Sequence, residues 1–129
     1  MDSSKMPPQA LARGGPVDAE WKPYEDGGSL GWAGSQGGTI ARDEDLAGQV
    51  RLTYEVDDSR SFHALTCSVA GWLLHHRFFD NAADATAAFD AMKPALEELL
   101  GRLTEGGPKS PAEARAGGPL LAAFMARFS

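Results

Sequence analysis

Between Gln49 and Asp57 the chain reads QVRLTYEVD, and this alternation constrains the fold more than any other feature. Val50, Leu52, Tyr54 and Val56 share one parity, and Arg51, Thr53, Glu55 and Asp57 share the other. A period of two marks a half-buried antiparallel strand, with one face on a core and one toward water. A parallel strand covered on both sides would be apolar at both parities.

The flanking residues extend the pattern. DDSR at 57–60 is turn chemistry. SFHALTCSV and WLLHHRFFD follow as two β-prone runs separated by Ala70-Gly71, which predicts a tight hairpin. Upstream, GTIARDE reads as an earlier strand returning to the 50–56 strand through DLAGQ.

A two-residue turn at 70–71 sets Val69 opposite Trp72, Cys67 opposite Leu74, Leu65 opposite His76 and His63 opposite Phe78. A turn near 58–59 sets Val50 opposite Cys67, Leu52 opposite Leu65 and Tyr54 opposite His63. The two turns agree on one face. It collects Val50, Leu52, Tyr54, Val56, Leu65, Cys67 and Val69, then Trp72, Leu74 and Phe78, with His63 and His76 among them. A slip of one residue would move a strand's whole set to the opposite face.

After Asp80-Asn81, a candidate N-cap, the period changes. Ala85, Phe89, Met92, Leu96, Leu99 and Leu103 recur at helical steps and make a stripe to cover the apolar sheet face. Pro94 inside the stripe predicts a kink or two abutting helices. EGGPKSP at 105–111 ends that helix. Pro119 suits the first position of a short terminal helix bearing Leu120, Leu121, Phe124, Met125 and Phe128.

The predicted class is therefore α+β. It is an antiparallel meander of four to five strands, with a C-terminal amphipathic helix on one face and a short terminal helix. Residues 26–129 form one domain, and residues 1–25 offer too little apolar surface to offset ordering and are expected to be a flexible tail. Gly28, Gly31, Gly34 and Gly37 recur at three-residue spacing, too few for collagen and without the Lys-Ser/Thr ending of a phosphate loop. They read as a flexible approach to the first strand.

A chain of 129 residues can bury one core. No apolar run reaches bilayer length, the first residues lack a secretory core, and the lone Cys67 forms no internal disulfide. A cytoplasmic location without a membrane partner is expected. The net charge of −6 and scattered Lys and Arg argue against nucleic acid.

Two polar groups are candidate ligand sites. In the register above, Tyr54, His63 and His76 share the covered face, where a carboxylate or Cys67 would be a third metal ligand. Hydrogen-bonded core histidines are commoner, so neither metal nor cofactor is expected. Arg51, His75 and Arg77 fall beside Thr66 on the other face, where they would receive an anion; pairs such as Glu55–Arg77 or Glu44–Arg51 are the more usual use of such a face. Cys67 takes a buried parity and no Gly-x-Ser-x-Gly elbow occurs, so the balance is against an enzyme.

An apolar surplus remains in Phe62, Leu73 and Phe79 and in the terminal stripe of Leu120, Phe124 and Phe128. These are the candidate interface of a homodimer or of a protein partner. The expected function is a non-enzymatic protein-binding module, chaperone-like or immunity-like in general shape, with small-ligand or metal binding through the sheet histidines as the alternative.

Overall fold

The computed structural model describes residues 20–129. Five strands, β1 (Trp21–Pro23), β2 (Thr39–Leu46), β3 (Val50–Val56), β4 (His63–Val69) and β5 (Leu73–Phe79), precede two helices, α1 (Ala82–Arg102) and α2 (Pro111–Arg127). The sheet order is β1-β2-β3-β4-β5, and every neighbouring pair is antiparallel. The molecule is thus an α+β meander with a long helix on one sheet face and a second helix after it. Of the tail expected over 1–25, residues 1–19 lie outside the described residues, while Trp21–Pro23 pairs with β2.

The β3–β4 hairpin differs from the predicted register by two residues. Val50 faces Val69, Leu52 faces Cys67, and Tyr54 faces Leu65. An even shift keeps every side chain on its face, so the expected core set of both strands survives. The six-residue loop between Val56 and His63 is organised by Asp57. Its carboxylate accepts hydrogen bonds from the Ser61 hydroxyl (2.6 Å) and the Phe62 N–H (2.8 Å).

The β4–β5 hairpin is a correction of a different kind. Val69 faces Leu73, Cys67 faces His75, Leu65 faces Arg77 and His63 faces Phe79. The loop has three residues, and the slip of one turns β5 over. Leu73, His75, Arg77 and Phe79 point to the helix side, and Leu74, His76 and Phe78 point away. Trp72 is the physical reason. The Trp72 N–H closes a β-turn on the Val69 carbonyl at 2.8 Å with Gly71 at φ +78°. Its indole N–H donates to the Thr104 carbonyl at 2.7 Å, and its ring lies against Gly117. That anchor to the α1–α2 connection takes Trp72 out of the strand.

α1 is one helix of 21 residues running through Pro94, not two abutting pieces, and Asn81 caps it by accepting the Asp84 N–H at 2.8 Å. Ala85, Phe89, Met92 and Leu96 are fully buried against Leu52, Leu65 and Cys67. α2 begins at Pro111 rather than Pro119. Ser110 accepts the Glu113 N–H, so SPAE is a helix start with proline in the first turn. Gly117 and Gly118 mask that helix in the sequence, yet a Cβ at Gly117 would collide with the Trp72 ring.

Candidate functional site

The inner face holds Tyr54 and His63 as a closed pair. The Tyr54 hydroxyl lies 2.7 Å from His63 Nδ1, and both residues are buried in or beside the core. Burial pushes the Tyr54 phenol above its ordinary pKa. His76 sits on the opposite face, so the expected cluster of Tyr54, His63 and His76 does not form. A metal ion cannot bridge two histidines on opposite sides of a sheet. Among the described residues no group of three or more His, Cys, Asp or Glu is placed to hold a metal.

The second predicted group is divided as well. His75 and Arg77 turn inward toward α2. His75 Nε2 donates to the Phe128 carbonyl at 2.9 Å, and its ring meets Phe124 edge-on. The Arg77 guanidinium lies over Phe79 and Phe128, and burial lowers its pKa. Arg51 and Thr66 stay on the outer face, joined there by His76 in place of His75. Thr66 Oγ1 and His76 Nδ1 share a hydrogen bond of 3.0 Å.

That outer face carries an open groove of about 370 Å³. Arg51, Thr53, Thr66, Ser68, Leu74 and His76 line it from the sheet, and residues 33–36 form a wall. The polar groups near the wall are already engaged. Asp43, whose side chain is fully enclosed, accepts two hydrogen bonds from Arg51 (2.9 and 2.6 Å) and one from Thr53 (2.9 Å). Burial alone would raise the Asp43 pKa, but the hydroxyl and guanidinium groups around it, Arg51 foremost, outweigh burial and hold the group below the ordinary carboxylate value. The Arg51 guanidinium also stacks 3.7 Å over the Tyr24 ring. Neither the Glu55–Arg77 nor the Glu44–Arg51 pair forms. Glu55 instead accepts the backbone N–H groups of Gln36 (3.0 Å) and Gly38 (2.7 Å), and Glu44 pairs with Arg42 and Lys93. The glycine-rich loop thus spends its amides on a carboxylate of its own chain, and a Cβ at Gly34 would strike that carboxylate.

Cys67 is fully buried, and burial pushes its thiol up to about 12. At neutral pH it is a small apolar side chain rather than a nucleophile.

Of the expected interface residues, Phe124 and Phe128 are buried in the core of their own chain. Leu73, Phe79 and Leu120 pack against it, and Phe62 lies edge-on to Phe78 at 5.9 Å. The large apolar side chains left in solvent are different ones: Trp32 (71% exposed), Leu74 (66%), Phe78 (57%), Leu30 (48%) and, least of them, Met125 (37%). Sequence reasoning missed Leu74 and Phe78 because it counted Trp72 into the strand. Among the described residues β5 has β4 as its only strand neighbour, and its other edge makes no backbone hydrogen bond. No helix among these residues is long and apolar enough to cross a membrane. No family model, curated protein or solved structure matches the chain.

Proposed function

We propose that this chain is a non-enzymatic protein-binding module that works through β5. One observation carries the reading: an edge strand, unpaired among the described residues, that also presents Leu74 and Phe78 to solvent. Unpaired edges offer a row of hydrogen-bonding groups to any extended chain, and side chains beside the new strand supply selectivity. The test replaces Phe78, or Asp90 on the solvent side of α1, with photoreactive p-benzoylphenylalanine in the producing cells. Protein adducts are expected from position 78 and not from position 90. Equal yields at the two positions would remove the reading.

A second reading rests on the groove. Its hydroxyls, with His76 at one side, suit a small polar ligand better than a strong anion, because Asp43 already neutralises Arg51. Ligand-induced shifts of the His76 ring resonances, abolished in Thr66→Val, would favour it. A screen of sugars and small carboxylates that leaves those resonances unmoved would end it.

A further inference from the structure

We infer that the partner of β5 is the β5 strand of a second copy, paired antiparallel about a two-fold axis at His76. This rests on the protein-binding reading and names its occupant. β5 reads Leu73-Leu74-His75-His76-Arg77-Phe78-Phe79, apolar at both ends and polar in the middle. Pairing about His76 sets Leu74 against Phe78 of the partner subunit on the outer face, and His76 lies against its own counterpart. On the inner face Leu73 meets the partner's Phe79, and His75 meets the partner's Arg77. Directly opposed residues share a face, and opposed apolar pairs are what stabilise a ladder. Moving the axis to His75 sets Leu74 against His76 and Leu73 against Arg77. Moving it to Arg77 sets Phe78 against His76 and Phe79 against His75. Only the His76 register matches apolar with apolar on both faces.

The two edges of the sheet sharpen the argument. β1, at one edge, has three residues including Lys22 and Pro23, both of which discourage further pairing. β5, at the other, has seven residues with no lysine, no proline and no bulge against β4. Among the described residues one edge is blunted and the other is left open. A two-fold axis normal to the sheet would join two five-stranded sheets into one and keep both helix layers on the same side.

A strand of seven residues is well short of the roughly 20 residues per side in a standard stable interface, so a dissociation constant on the order of tens of micromolar is expected. Light scattering coupled to size-exclusion chromatography, from about 5 to 500 µM, should show the mass rising toward a dimer. Leu74→Glu with Phe78→Glu should weaken association by at least about tenfold, with circular dichroism unchanged because both side chains are exposed. Air-oxidised His76→Cys should form a disulfide-linked dimer; Cys67, being buried, stays out of the reaction. Leu74→Cys alone should not, since its counterpart lies four residues, or about 13 Å, further along the partner strand. A monomeric mass at 500 µM would overturn the inference. If adducts from position 78 then prove to be another protein, the module reading stands without the second copy; if there are no adducts, both fall. Equal disulfide yields at positions 74 and 76 would overturn the register.

Discussion

The Asp43 carboxylate is enclosed, and three hydrogen bonds from Arg51 and Thr53 replace its water. Asp43→Asn keeps the shape and removes the charge, so a loss of about 2–3 kcal/mol in urea unfolding at pH 7 is expected, as for hydrogen bonds to a charged group. The folded-state pKa lies below that of the unfolded chain. The Asp43 contribution is therefore complete above the unfolded value of about 3.9 and is lost as pH falls through the folded one. The asparagine variant should lack this part of the acid dependence; an unchanged slope would mean that other carboxylates carry it. A second expectation concerns Cys67. A thiol held at about 12 and shut from solvent should react with an aromatic disulfide reagent only as fast as the protein unfolds. The buried parity of Cys67 was legible from the alternation around it. The Asp43–Arg51 pair was not, because Asp43 faces Thr53 across the ladder and reaches Arg51 on the diagonal.

At the scale of elements, the two faces of β5 make opposite predictions for adjacent leucines. Leu52→Ala and Leu65→Ala remove fully buried side chains and should cost about 2–5 kcal/mol each. Leu74→Ala, measured at low concentration, should change stability by less than about 0.5 kcal/mol, whereas Leu73→Ala should cost more because that side chain packs on the core. A Leu74→Ala loss as large as that of Leu52→Ala would reverse the faces. β2, β3, β4 and α1 were legible because their periods are long enough to average over a miscounted turn. β5 was not, because one tryptophan decides whether its loop has two residues or three, and the contact holding that tryptophan lies 32 positions away at Thr104. α2 hid its start for a related reason: Gly117, an unfavourable helix residue, is there to admit the same indole.

For the molecule as a whole, α2 completes the core rather than extending it. Ending the chain after Gly107 would remove Phe124 and Phe128, both buried, and uncover His75 and Arg77. Loss of one buried Phe alone costs about 3–5 kcal/mol, and domains of this size hold about 5–15 in all. The shortened chain should therefore melt well below the full one, or without a cooperative transition, in scanning calorimetry. The meander order has a kinetic consequence. The connections 47–49, 57–62 and 70–72 are short, so β2 to β5 can assemble by successive small loop closures of low entropic cost. The Trp21 indole, by contrast, donates to Glu97 across 76 positions of chain, at 2.8 Å. That contact should form after the rate-limiting barrier. Glu97→Leu, which has no acceptor for the indole, should then speed unfolding in stopped-flow experiments and leave the refolding rate unchanged, so that β1 acts as a latch that governs how long the folded state lasts rather than how quickly it is reached.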